Sequence, residues 1–177
     1  KIQLSTFLLH TQMNDSYLSI GTNIGDKRSN LKLCIEKISK LKIQILKVSS
    51  IYLTDPLENI SQPQFYNIVM HIRTIYTLDD FFKKTKSIEM NMGRPVNPKK
   101  NSPRIIDIDL LTFSNMIVDT RSLILPHPRL CRRKFVLKPW YELDPQFIVP
   151  AYNKSVSDLL NDVKDVSKVC KLQTVEL

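Results

Sequence analysis

Pro103-Arg104-Ile105-Ile106-Asp107-Ile108-Asp109-Leu110-Leu111-Thr112-Phe113 is the stretch from which the rest of the chain can be read. From Ile105 to Phe113 large apolar and β-branched residues run almost unbroken, which predicts a β-strand. Strand side chains alternate faces, so Asp107 and Asp109 share one face while Ile106, Ile108 and Leu110 share the other. At a strand's rise per residue the two carboxylates start ~6.6 Å apart at their Cα atoms. That spacing lets both converge on one Mg²⁺, or bridge two lying ~3.5–4 Å apart. A plainer reading of the same pair is an edge strand whose acidic face is wet or salt-bridged to Arg104. The neighbourhood bears on the choice. A lysine pair, Lys99-Lys100, and Arg104 precede the strand, and cations beside a metal-binding acid pair suit a polyphosphate.

The chain has 177 residues, 42% of them hydrophobic, which fits one domain with a sizeable core. Its formal charge of +9 is spread along the whole length, so it attracts anions without naming one. Three widely spaced cysteines, Cys34, Cys131 and Cys170, lack zinc-ligand spacing and predict reduced cytoplasmic thiols. No apolar run is long enough to span a bilayer, and Lys1 to His10 lack a signal-peptide pattern. Residues 1–14 are expected to be an extension, residues 15–165 a single domain, and residues 166–177 a tail.

In chain order, a short strand at Tyr17 to Ile20 runs into Gly21-Thr22-Asn23-Ile24-Gly25-Asp26, whose glycines mark a tight turn. Asp26 is a helix N-cap ahead of the stripe Leu31, Cys34, Ile35, Ile38 and Leu41. Ile43 to Thr54 reads as a second strand and Phe65 to Ile75 as a third. Phe65 and Asn67 share a face there, an arrangement able to stack on and hydrogen-bond a flat heterocycle, or simply to pack. A helix from Leu78 to Met92 is stopped by Gly93. The basic loop from Arg94 to Arg104 feeds the acidic strand. Next come a strand at Met116 to Val118, Leu125-Pro126-His127-Pro128-Arg129, and a helix near Leu130 to Tyr141. A strand at Phe147 to Val149 and a helix at Val156 to Val163 follow. The order β-α-β-β-α-β predicts an α+β, ferredoxin-like sandwich with an antiparallel sheet and a C-terminal extension.

Taken together, Leu18-Ser19-Ile20-Gly21-Thr22-Asn23, Ser49 to Leu57, Gln62-Pro63-x-Phe65-x-Asn67, Ile88-Glu89 with Gly93-Arg94, Pro103-Arg104-x-Ile106-Asp107-Ile108-Asp109-Leu110, Leu125-Pro126-His127 and Arg133-x-Phe135-Val136-Leu137-x-Pro139 resemble the 6-hydroxymethyl-7,8-dihydropterin pyrophosphokinases of folate biosynthesis. The resemblance covers about Tyr17 to Val163. It implies Mg²⁺-dependent transfer of pyrophosphate from ATP to the pterin's hydroxymethyl group, releasing AMP, by a cytoplasmic monomer acting on small molecules. It further implies Asp107 and Asp109 as ligands of two Mg²⁺ ions, with Arg94 and Arg104 sharing the catalytic work. The implied pterin site is Thr54, Pro56, Leu57, Phe65, Asn67 and Phe135. The implied ATP site is Glu89, Arg94, Lys100, Arg104, Ile106, Leu110, His127 and Arg133. Val96, Lys100, Asn101, Ser102, Asp55 and Pro128 depart from the family's usual residues. Two rivals remain at this stage. One is a basic nucleic-acid-binding module, against which stand two acids on a strand face. The other is an inactive paralogue kept for binding.

Overall fold

The computed structural model describes residues 13–56, 61–95 and 102–173 of the chain. Strand β1 (Asn14–Thr22) leads to helix α1 (Lys27–Ser39), then β2 (Ile43–Val48), β3 (Ile51–Thr54) and β4 (Phe65–Thr74). Helix α2 (Leu78–Asn91) connects to β5 (Asp107–Phe113). A two-residue-strand hairpin, β6 (Val118–Asp119) with β7 (Ile124–Leu125), precedes helix α3 (Lys134–Leu143). A second small hairpin, β8 (Ile148–Val149) with β9 (Lys154–Ser155), then α4 (Val156–Asp162) and β10 (Val169–Gln173) complete the order.

The main sheet runs β10-β3-β4-β1-β5, with β2 pairing β4 beyond β3, and every pairing in it is antiparallel. The fold is thus mixed α+β with an antiparallel sheet and four helices, as expected at that level of detail. No helix among the described residues is long and apolar enough to cross a membrane.

Several boundaries differ from those expected, each for a physical reason. Strand β1 starts at Asn14, because Asn14, Asp15 and Ser16 pair through their backbone with Thr74, Arg73 and Ile72 whatever their side chains. The expected single strand Ile43 to Thr54 is broken at Ser49-Ser50, both fully buried. There the Ser49 hydroxyl accepts the Val69 amide at 2.9 Å, and the Ser50 amide turns to Glu142 at 3.2 Å. The expected strand at Met116 to Val118 is confined to Val118–Asp119, and the helix near Leu130 begins as a single 3₁₀ turn before α3. Val169–Gln173, expected within a tail from residue 166, is an edge strand paired to β3.

The sheet's two faces carry separate cores. On the back, α1 and α2 pack Leu31, Cys34, Ile35, Phe81 and Ile88 onto Leu18, Ile20, Ile68, Met70, Ile108 and Leu110. On the front, α3 and α4 pack Val136, Leu137, Trp140 and Leu159 onto Tyr17, Val69 and Leu111. Alternation along β5 therefore places Ile108 and Leu110 behind and Asp107 and Asp109 in front.

Strand β5 would present an unpaired rim on the side away from β1. Helix α2 covers part of it chemically. Glu89 accepts the Ile108 amide at 2.6 Å, Lys86 donates to the Ile108 carbonyl at 3.0 Å, and the two side chains pair at 3.0 Å.

Candidate active site

Past the body of α3, whose N-terminus reaches this way through Arg133, the front face lies between the ends of β3, β4, β1 and β5. Register brings five residues into neighbouring rows there: Thr54 opposite Phe65, Asn67 opposite Gly21, and Gly21 opposite Asp107. The floor is closely fitted. Asn67 is buried and donates through Nδ2 to the Thr54 hydroxyl at 2.7 Å. Its other amide atom, Oδ1, lies over Gly21, where an added Cβ would sit 2.7 Å away. Gly21 thus lies inside β1, next to its last residue, and its missing side chain admits Asn67, which corrects its reading as part of the turn. The turn itself relies on Gly25, in the left-handed region at φ +68°.

The acid pair is held by arginines from three directions. Gly93, at φ +97°, ends α2 and folds the chain back so that the Arg94 amide reaches the Glu89 carbonyl at 3.0 Å. This return sends the Arg94 guanidinium between the Glu89 and Asp107 carboxylates, to both of which it donates. Arg104 reaches Asp107 at 3.3 Å, so the salt bridge considered for the bare sequence is formed. Arg133 reaches Asp109 at 3.5 Å and lies 5.4 Å from the centre of the Phe135 ring. His127 is pinned to β5 by its amide, which donates to the Leu111 carbonyl at 2.9 Å. Its Nδ1 accepts the Arg129 amide at 3.2 Å, which leaves the Nε2 proton directed at Asp109, 3.8 Å away.

These surroundings shift the carboxyls in opposite directions. Burial pushes Asp107 up, but Arg104, Arg94 and Lys86 outweigh it and hold the group below the usual carboxylate range. For Glu89 burial prevails over Lys86, the Ile108 amide and Arg94, and the group sits above that range. Burial, with Arg133 and Arg129 close by, lowers His127 despite the nearby Asp109. Asp107 is therefore a standing anion, and His127 is disfavoured as a cation.

Not every residue expected at the site presents its side chain there. Ile106 and Leu110, expected as apolar neighbours of a nucleotide, have their side chains sealed in the back core at 0% and 3% exposure. Glu89 is also buried, and both its oxygens are occupied by α2 and β5 partners. Phe65 and Phe135 are half-buried and Pro56 follows β3 at the rim. Leu57, Lys100, Val96 and Asn101 lie outside the described residues.

One residue that sequence reasoning did not assign is Asn23, 1% exposed, at the end of β1. Its Oδ1 accepts the Arg104 amide at 2.7 Å, and its amide nitrogen donates to Gln62 at 3.1 Å and to the Pro63 carbonyl at 3.3 Å. It ties both flanking loops to the strand. Its only sequence signal was a place in the turn motif.

The donor chemistry suits a hard cation shared with a ligand. Among the described residues no group of three or more His, Cys, Asp or Glu could hold a metal alone. Two carboxylate side chains that leave most positions to water and phosphate oxygens are the ordinary Mg²⁺ arrangement beside nucleotides.

Residues 17–145 match the sequence model of the 7,8-dihydro-6-hydroxymethylpterin-pyrophosphokinases. The chain belongs to that family. It is 36% identical over 134 residues to the 2-amino-4-hydroxy-6-hydroxymethyldihydropteridine pyrophosphokinase of Bacillus subtilis, covering 75% of this chain and 80% of that protein. It is 33% identical over 149 residues to the folic acid synthesis protein fol1 of Pneumocystis carinii. That match takes in 84% of this chain but only 20% of the fungal protein. Among solved structures, a Plasmodium falciparum HPPK-DHPS superposes with a TM-score of 0.67 at 14% identity, over 87% of this chain and 46% of that one. Family members therefore occur both at about this chain's length and as one part of much longer polypeptides.

Proposed function

We propose that the chain catalyses transfer of the β,γ-pyrophosphoryl group of ATP to the hydroxymethyl oxygen of 6-hydroxymethyl-7,8-dihydropterin, a step of folate biosynthesis. A bond forms between that oxygen and the β-phosphorus, the α,β-bridging bond breaks, and AMP leaves. The observation that carries this reading is Arg104. Its guanidinium lies 5.2 Å from the centre of the Phe65 ring while one of its nitrogens reaches Asp107 at 3.3 Å. One side chain thus links the ring side of the site to the acid pair.

The pterin would stack on Phe65 with Phe135 as the opposing ring, over a floor of Asn67, Thr54 and Gly21. Pro56 and Leu57 complete this side. Asn67 and Thr54 hold each other's orientation, so the ring's hydrogen-bonding edge meets groups already aligned. On the ATP side Arg94, Lys100, Arg104, His127 and Arg133 supply positive or donor groups toward the phosphates. Glu89 acts there through Arg94 and Lys86, which it anchors.

Asp107 and Asp109 would hold Mg²⁺, two ions in this reading. Bound there, the ions would neutralise phosphate charge and help align the attack. The arginines now paired with the acids carry charge that phosphate oxygens can take over, bidentately where the guanidinium presents its fork. Positioning and charge stabilisation account for most of the rate, and no strong base is required.

The reading extends to a ferredoxin-like arrangement, supported by β2 and β3 serving together as one interrupted strand beside β4. It also extends to a cytoplasmic monomer, in keeping with three unpaired thiols. The test is AMP release from ATP, Mg²⁺ and the hydroxymethyl dihydropterin. Release that requires all three is expected, and ATP consumption indifferent to the pterin would overturn the assignment.

A further inference from the structure

Helix α3 presents Arg133 and Phe135 to the pocket, yet nothing in its own sequence caps it. Arg133 occupies the N-cap position and makes no side-chain cap bond. An uncapped first turn frays, and a frayed turn would leave both residues loosely placed. The missing acceptor comes from 31 residues downstream. Asp165 Oδ2 accepts the Lys134 amide at 2.9 Å, while Oδ1 accepts the Ser167 amide at 2.9 Å and fixes the carboxylate's own turn.

The same arm continues along α3. Lys138 donates to the Val169 carbonyl at 3.2 Å, and Lys171 reaches Glu142 at 3.2 Å. Lys134, Lys138 and Glu142 are spaced four apart and so form one stripe of the helix. On its other side the arm is a strand, with Val169 paired to Thr54. Thr54 is the residue that holds Asn67. One segment therefore joins the helix that carries one wall of the ring pocket to the strand that carries Thr54 of its floor.

We propose that Asp165 is a positioning residue for pterin binding. By capping α3 from outside the helix it fixes Arg133 and Phe135 against the Thr54–Asn67 floor. The proposal rests on the pterin pocket assigned above, and its test separates the two. Pterin affinity is measured by calorimetry, and pterin KM and kcat by AMP release, for wild type, Asp165→Ala, Lys134→Pro and the double variant. Lys134→Pro deletes the amide that needs a cap. It suits a first helical position, and Arg133 before it is already extended at φ −124°, ψ 98°.

Asp165→Ala is expected to weaken pterin binding about fivefold, the weight of one lost N-cap, and to raise pterin KM more than it lowers kcat. In the Lys134→Pro background the same substitution should leave affinity within twofold. Asp158→Ala, which removes a capping contact of α4, should lower thermal stability without moving pterin affinity. Unchanged affinity in a less stable Asp165→Ala would overturn the proposal. So would an undiminished loss in the Lys134→Pro background, where the cap has no amide to serve. If Asp165→Ala alone does not fold, the double variant decides, by binding as wild type does or failing to. A wild-type protein that binds no pterin would remove the pocket assignment itself, before any substitution is made.

Discussion

The front face of the sheet has two ends built by the same strands, and they hold most of their carboxylates differently. At the covered end Tyr17 is 2% exposed, stacks on His71 with ring centres 4.4 Å apart, and meets Trp140 at 5.0 Å. Two carboxylates near that end, Asp144 and Glu142, take neutral donors or a single lysine, while Asp15 at its edge pairs with His71 and Arg73. Tyr17 donates to Asp144 at 2.8 Å, and Glu142 collects the Ser50 amide and hydroxyl, the Tyr52 hydroxyl and Lys171. At the open end the carboxylates face guanidinium groups on long side chains, and aromatic packing gives way to half-exposed Phe65 and Phe135. Fixed neutral donors make a rigid joint. Long cationic arms that an incoming polyanion can engage make a site.

Substitutions at the two ends should therefore separate stability from turnover. Trp140→Ala empties the centre of the covered end and is expected to cost ~3–5 kcal/mol of stability. In a chain of this size that lowers the melting temperature by on the order of 10 °C. Turnover per folded molecule at low temperature should hold, and a parallel collapse of kcat would dissolve the contrast. Asp109→Asn is the converse. Turnover should fall by at least ~10²-fold, with a melting temperature within a few degrees of wild type, as scanning calorimetry would show.

Gly21→Ala tests the seam between the ends. The added methyl must displace Asn67, so pterin affinity should drop by roughly tenfold, an effect of order 1.4 kcal/mol, while titrated ATP affinity stays put. Equal losses for both ligands would mean that the floor serves the whole site. The smallest effect belongs to Glu142→Gln. Burial pushes Glu142 up, but bonds from Ser50, Tyr52 and Lys171 hold it below its ordinary 4.5. A depressed carboxyl contributes stability that is present above that ordinary value and lost as pH falls through the folded-state one. The gap in urea midpoint between wild type and Glu142→Gln should accordingly be open at pH 7 and narrow on acidification below about 4.5. A gap that widens in acid would reverse the sign assigned here.

What the sequence disclosed follows the range of the interactions involved. Alternation along residues 107–111 separates acids from core because it depends on neighbours two apart, and the turns at Asp26 and Gly93 are equally local. Gly21 was misread because its reason lies across the sheet in Asn67. The break at Ser49-Ser50 depends on Glu142, some ninety residues away. The strand at Val169–Gln173 carries two polar residues among five and finds its place through pairing with β3, a fact no local pattern holds. The same alternation turns the side chains of Ile106 and Leu110 into the back core, away from the face that carries the acids.

The Ile108 peptide between the two aspartates is gripped at both its amide and its carbonyl by Glu89 and Lys86 of α2. Helix α2 is seated from behind, on Phe81 and Ile88. The gap between the two aspartates is thus gauged by a beam on the reverse side of the sheet. A ligand or lesion that loosens that beam from behind would throw the front out of calibration.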